Sequence, residues 1–349
     1  MSQIIENRNY VTHQTAKPPY FVGVDLGGTN IKVAVVDNLG RSFEPLKVAT
    51  EANKGPEHGT QRMAKAVTSV IRKAGLKPAD IAMVGLGSPG TMDIPAGMLV
   101  RPVNLKGWDD FPIRDKLAEY CGLPVAFEND ANAAAYGEKW VGGGKGHPSL
   151  VLFTLGTGIG CGIIIGDVVV QGQNSHGAEC GHIVIDYAPD ARLCGCGQSG
   201  HLEAYASATA VTRRMCEALD AKLPTSLAKR VEEGAILEPK LLAEEAEKGD
   251  AFALRLILET ASYLAVGVVN LMHTIDPSVV LLGGAMTFGG RGRKLGRKFL
   301  ARVREEVKRR TFEVLAKRTT IDFARLGGDA GYIGAAGIAR LCHLQASRT

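Results

Sequence analysis

The chain has 349 residues, 45% of them apolar, and a formal net charge of +5. That length suffices for two domains with separate cores, and so small a positive excess gives no argument for a nucleic-acid partner. Seven cysteines, an odd number, together with a polar opening stretch that lacks the apolar run of a secretory signal, predict reduced thiols in a cytoplasmic protein rather than a disulfide framework.

Residues 1–19 read as a disordered lead-in. The apolar runs 21–24 and 31–36 then flank Asp25-Leu26-Gly27-Gly28-Thr29-Asn30. This predicts a strand, a tight turn and a returning strand. Glycine has no Cβ, so such a turn brings bare N–H groups and a threonine hydroxyl close to an anion. Asp25 adds an acidic group where a metal ion on a phosphate would sit. A helix is expected over 59–73, from the stripe of Met63, Ala66, Val67, Val70 and Ile71. A buried strand over 81–85 runs into Gly85-Leu86-Gly87-Ser88-Pro89-Gly90, which must leave regular structure. Helices follow at 111–120 and 131–140, around a strand at 125–127. The glycines of 142–146 mark a boundary between a smaller α/β domain, 20–141, and a larger one, 142–330.

The second domain opens with the same device: Leu155-Gly156-Thr157-Gly158-Ile159-Gly160 lies between the apolar runs 150–153 and 161–165. One such turn is often just a hairpin, but two of them a domain apart point to a duplicated domain that grips a polyphosphate from both sides. The stretch 150–170 is apolar enough to raise a membrane span, yet its glycines and threonines divide it into two short buried strands. A long helix over 251–273 is expected to be buried, and a strand over 279–282 ends in Gly283-Gly284, a third place where backbone can approach a ligand. Within 291–310, Leu295, Phe299, Val303 and Val307 recur at helical spacing among ten Lys and Arg residues, which predicts an amphipathic helix with a solvated basic face. A helix of small residues, 331–345, is expected to pack back on the first domain. Strands alternating with helices indicate an α/β architecture.

Glu128-Asn129-Asp130 follows a strand and opens a helix, so Asp130 can serve as a helix cap or as a general base. Phosphate-gripping turns in both halves favour the base, because phosphoryl transfer needs little beyond positioning, charge neutralisation and a carboxylate beside the nucleophile. His182, Cys194, Cys196 and His201 offer two imidazoles and two thiolates, a set that suits a closed, structural Zn2+ site, with Cys180 as a rival ligand. His182 can hold the ion through one nitrogen and donate to a substrate from the other. Glu179 and Glu203 bracket this segment, either as surface carboxylates or as acceptors for sugar hydroxyls.

With these motifs, to which Lys32, Asn104 in the approach to Trp108, and Glu179-x-Gly181-His182 are added, the chain resembles sugar kinases of the ROK family (repressors, open reading frames and kinases), and most of all the bacterial glucokinases. The resemblance implies an actin-like, ribonuclease H-like duplicated α/β fold whose two domains flank an ATP and sugar cleft. It implies ATP-dependent phosphorylation of glucose at the 6-hydroxyl with Asp130 as catalytic base, and Ser88, Gly90, Asn104, Asn129, Asp130, Glu179, His182 and Glu203 around the hexose. Asp25, Gly27, Gly28, Thr29, Asn30, Lys32, Thr157 and Gly158 would face the phosphates and Mg2+, with Gly283 and Gly284 near the adenosine. Relatives are commonly homodimers or homotetramers, and neither nucleic acid nor membrane is an expected partner. The chain departs from the family at His201, where a third cysteine is usual. The alternatives are a kinase for N-acetylmannosamine, N-acetylglucosamine or fructose, and a sugar-responsive repressor. For the repressor, the roughly twenty residues before the first strand are too few to hold a helix-turn-helix.

Overall fold

The computed structural model describes residues 10–102 and 104–347. In chain order its elements are β1 (Tyr20–Leu26), β2 (Asn30–Val36), β3 (Leu46–Ala49), α1 (Pro56–Lys73), β4 (Ile81–Ser88), β5 (Thr91–Asp93), β6 (Met98–Arg101), α2 (Ile113–Cys121), β7 (Val125–Asn129) and α3 (Asp130–Val141). They continue with β8 (Ser149–Leu155), β9 (Ile159–Ile165), β10 (Val168–Val169), α4 (Glu203–Ala206), α5 (Ala208–Asp220), α6 (Leu227–Glu232), α7 (Pro239–Lys248), α8 (Ala251–Ile275), β11 (Val279–Gly283), α9 (Lys294–Arg310), α10 (Glu313–Arg318), β12 (Thr320–Phe323) and α11 (Ala330–Ala346).

Contacts divide the chain into two units. Unit 1 comprises Met1–Lys145, Val169–Gly177 and Gly328–Thr349; unit 2 comprises Gly146–Val168 and Ala178–Gly327. Unit 1 carries a five-stranded sheet ordered β3-β2-β1-β4-β7, and unit 2 one ordered β10-β9-β8-β11-β12. In each, an antiparallel hairpin is followed by two parallel strands, so the twin turns do belong to twin sheets.

In unit 1, β1 is buried along almost its whole length, as a strand covered on both faces must be. Val22 and Val24 join Met63 and Val67 of α1 in one core. The intervening Gly23 faces the other way, toward α11, in keeping with the two-residue alternation of a strand. A Cβ at Gly23 would overlap the Tyr332 carbonyl, and one at Gly85 on β4 the Ala335 carbonyl, so α11 lies at backbone contact with the sheet. Helix α1 begins earlier than its apolar stripe suggests, because Pro56 sits at the first helical turn, where its missing N–H costs nothing.

Two readings need correction. Of the lead-in 1–19, residues 1–9 lie outside the described residues, but the rest is folded. Val11 N–H donates to Ser42 O at 3.0 Å, Lys17 N–H donates to Asp37 Oδ2 at 3.0 Å, and Ala16 is buried in the unit 1 core. Backbone bonds, invisible to composition, anchor this polar stretch. Second, Val169–Gly177, placed by sequence in the larger domain, belongs to unit 1. Gln171 Nε2 donates to Glu128 Oε2 at 2.6 Å, and Ile94 N–H donates to Ser175 Oγ at 2.9 Å.

Unit 2 is dominated by α8, which packs against α7 and α9. Among the described residues it is the one helix long and apolar enough to cross a membrane, and most of that apolar stretch is buried. The apolar side of α9 is buried through Leu295, Phe299, Val303 and Val307. Its basic face is exposed, as the residue pattern suggests, with Arg302 alone half-buried among its Lys and Arg residues. Arg302, Arg309 and Arg310 converge on the buried carboxylate of Glu306, and Arg304 donates to Ile321 O at 2.6 Å.

Candidate active site

The site in unit 1 is built at the carboxyl ends of its parallel strands. Register pairs Asp25 with Gly87 across β1 and β4, and Gly87 with Glu128 across β4 and β7; Ser88 and Asn129 pair one step further. Loops beyond such strand ends are where α/β sheets hold ligands. Helix α3 starts at once after β7, and its cap is Asn129, whose Oδ1 accepts from the N–H groups of Ala131 and Asn132 at 2.9 and 3.3 Å. Asp130 is therefore the first helical residue rather than the cap, and its Oδ1 accepts from Ala131 N–H at 2.8 Å.

Asp25 and Asp130 are electrostatic neighbours. Burial, and after it the Asp130 charge, raise the Asp25 carboxyl to about 6 against the opposing pull of Lys32. The Asp25 carboxylate lies against Gly331, where a Cβ would overlap it, so the start of α11 also borders the site. Lys32, paired with Asp25 across the β1–β2 hairpin, donates to Gly328 O at 2.9 Å and forms an ion pair with Asp329.

The Gly27-Gly28-Thr29 turn is closed by Gly27 N–H to Asn30 O at 2.9 Å and braced by Thr50, whose hydroxyl donates to Gly27 O at 2.6 Å. A Cβ at Gly28 would come within 2.8 Å of the Asn104 carbonyl, so the structure brings Asn104 to this turn. Gly90 has φ of +96°, which suits glycine, and a Cβ there would crowd Pro102. Ser88, at the end of β4, is fully buried with its hydroxyl donating to Pro89 O at 3.3 Å.

Glu128, which sequence reasoning passed over, is fully buried. Burial pushes its carboxyl up, while bonds from Gln171, Asn132 and Asn129 N–H hold it down. Asp329 and Gly331 were missed as well, although Gly-Gly-Asp-Ala-Gly ahead of a small-residue helix is the pattern of a close backbone approach.

In unit 2 the second turn is closed by Gly156 N–H to Gly158 O at 3.0 Å, and Thr157 O accepts from the Thr209 hydroxyl at 2.8 Å. Glu203 Oε2 accepts from Ile159 N–H at 2.8 Å, and a Cβ at Gly158 would overlap that carboxylate. Glycine at 158 thus answers first to Glu203. Gly284, with φ of +87°, lies against the Leu155 backbone, so Gly283-Gly284 and the second turn share one end of the unit 2 sheet.

His182, Cys194, Cys196 and His201 gather with all four donor atoms within 4.8 Å of one another. Nδ1 of His182 is 3.3 Å from Nδ1 of His201 and 3.8 Å from Cys194 Sγ, and Cys196 Sγ is 3.2 Å from His201 Nδ1. A tetrahedral Zn2+ at about 2.05 Å from nitrogen and 2.3 Å from sulfur spaces its ligands by about 3.3 Å (N···N) and about 3.6 Å (S···N). The donor set fits that ion. The rival, Cys180, is buried beside the Cys161 thiol and outside the cluster. Burial pushes the Cys194 thiol up to about 11, and burial with the neighbouring His182 lowers His201. Cys194 Sγ also donates to Glu203 Oε1 at 3.6 Å, which links the cluster to the second turn. Glu179 is exposed at the start of this segment.

The model of the ROK family matches residues 21–341. A glucokinase of Halalkalibacterium halodurans is 34% identical over 316 residues, 90% of this chain and 93% of its own. A ROK hexokinase from Thermus thermophilus superposes with a TM-score of 0.79 at 33% identity, covering 93% of this chain and 99% of the other. A ROK family glucokinase from Streptomyces griseus, solved with glucose and AMPPNP, superposes at 0.76 with 35% identity over 92% of this chain and 99% of its own. The chain belongs to the ROK family: it has the actin-like α/β fold and is an ATP-dependent sugar kinase closely related to the bacterial glucokinases.

Proposed function

We propose that the sugar is glucose, that its 6-hydroxyl is the acceptor and that Asp130 is the general base. The observation that carries this reading is the transfer of the helix cap to Asn129, which sets Asp130 at the first position of α3 beside Asp25. The O6–H proton passes to the Asp130 carboxylate as O6 bonds to the γ-phosphorus of ATP, the bridging P–O bond breaks and ADP leaves. Gly27, Gly28, Thr29 and Asn30 in unit 1, and Thr157 and Gly158 in unit 2, would present N–H and hydroxyl donors to the phosphates. Asp25 would hold the Mg2+ that accompanies ATP, and Lys32 would add positive charge. Gly283 and Gly284 would receive the adenosine. Gly90, Asn104, Asn129, Glu179, His182 and Glu203 would bind the sugar, Asn129 through its amide nitrogen.

Zn2+ held by His182, Cys194, Cys196 and His201 would supply rigidity and no reaction chemistry, since four protein ligands leave no open position. His182 turns Nδ1 to the cluster, so its Nε2 remains to donate to a sugar oxygen, and Glu203 is tied in through Cys194. Glucose is favoured over the N-acetylhexosamines by the glucokinase relatives.

ADP release should be measured with glucose, fructose, mannose and the two N-acetylhexosamines. Glucose is expected to give the highest kcat/KM, and an N-acetyl sugar far ahead of it would overturn the substrate. Asp130→Asn is expected to lower kcat by about 10² to 10⁴-fold. A wild-type rate in that variant would refute the base.

A further inference from the structure

Glu128 is a buried acid whose carboxylate accepts from the neutral donors Asn129 N–H, Asn132 and Gln171. Its Oε1 accepts from Asn129 N–H at 2.8 Å and from Asn132 Nδ2 at 3.0 Å, and its Oε2 from Gln171 Nε2 at 2.6 Å. The first two bonds fix the β7–α3 junction that presents Asn129 and Asp130. The third reaches into Val169–Gly177, a short excursion of the chain that belongs to unit 1 and leads directly into Ala178-Glu179-Cys180-Gly181-His182. Gln171 holds this excursion at both ends. Its side chain is bound to Glu128, and its carbonyl accepts from Gly177 N–H at 2.6 Å. Gly172 and Gly177 touch backbone to backbone, so the loop closes on itself. Ser175 and Ala178 adopt φ of +59° and +65°, a left-handed conformation that non-glycine residues keep only where their surroundings impose it. No residue of 169–177 is buried, so little apolar packing supports that shape.

We propose that Glu128 and Gln171 form a positioning pair for the sugar. Through one buried carboxylate, the junction that carries Asp130 and the loop that delivers Glu179 and His182 are set against each other. Neither residue touches substrate in this scheme. The proposal rests on the assignment of Glu179 and His182 to the sugar.

The test is steady-state kinetics on whichever hexose the wild type phosphorylates best, so that it survives a failure of the glucose assignment. Gln171→Leu removes the donor from a half-buried position, and a bond to a charged acceptor is worth enough to raise the sugar KM about tenfold or more. The ATP KM and the melting temperature are expected to stay as in the wild type. Gln171→Glu, which opposes two carboxylates, should be worse. Adding Glu128→Gln to it restores a donor facing an acceptor and should bring the sugar KM back toward the wild-type value. An unchanged sugar KM in Gln171→Leu, an equal rise in both KM values, or a double variant no better than Gln171→Glu would overturn the pair. Glu179→Gln, measured alongside, reads the sugar assignment itself. No change there refutes that assignment, whereas a raised KM there with Gln171→Leu unaffected refutes the positioning pair alone.

Discussion

Asp25→Asn is expected to stabilise the protein while removing its activity. A buried carboxyl held at about 6 instead of its ordinary 3.8 binds its proton more tightly in the folded chain than in the unfolded one. The sign follows from linkage: above the folded value the group is ionised in both states and the folded state carries the whole penalty, which fades as pH falls and is gone below the unfolded value. At pH 7 the penalty is about 3 kcal/mol. It arises first from burial and then from the Asp130 charge, both of which an amide escapes, while the favourable Lys32 interaction is lost. Urea titrations of both proteins at pH 7, 5 and 4, without nucleotide, measure it. The variant should be more stable by about 3 kcal/mol at pH 7, by about half of that at pH 5, and by little at pH 4. Magnesium and ATP should narrow the gap at pH 7, because only the wild type keeps the carboxylate that would bind them. A variant less stable than the wild type at pH 7, or a difference that does not change with pH, would refute the electrostatic reasoning.

Two further outcomes test the scaffold and the metal cluster. Gly85→Ala places a methyl against the Ala335 carbonyl and should cost about 1–3 kcal/mol or more, read as a lower urea midpoint. Metal analysis should find one zinc per chain, retained in His201→Cys and lost in His201→Ala, with a fall in melting temperature on loss; zinc retained in His201→Ala would remove that residue from the ligand set.

The site was legible in sequence wherever chemistry is carried by local pattern. Gly/Thr turns between apolar runs specify the two hairpins, and Cys-x-Cys with two histidines picks out the four residues whose donor atoms the fold gathers. What depends on distant contact was hidden. Nothing local says that Asn129 rather than Asp130 caps α3, since both side chains are suited to it; the choice is made by which residue ends β7. Glu128 drew no role of its own from the sequence, because its partner Gln171 lies more than forty positions away. The lead-in looked unstructured because its anchors run from its own main chain to the Ser42 carbonyl and the Asp37 carboxylate, which leaves no trace in composition.

The seating of α11 on β1 and β4 has a consequence for biosynthesis. The furrow left by Gly23 and Gly85 is filled by residues 330–346, made some three hundred positions after the strands they cover. A nascent chain emerging from the ribosome can therefore complete unit 2 while the first sheet still waits, one face bare, for its covering helix. Chaperone capture of translation intermediates should concentrate on that waiting sheet.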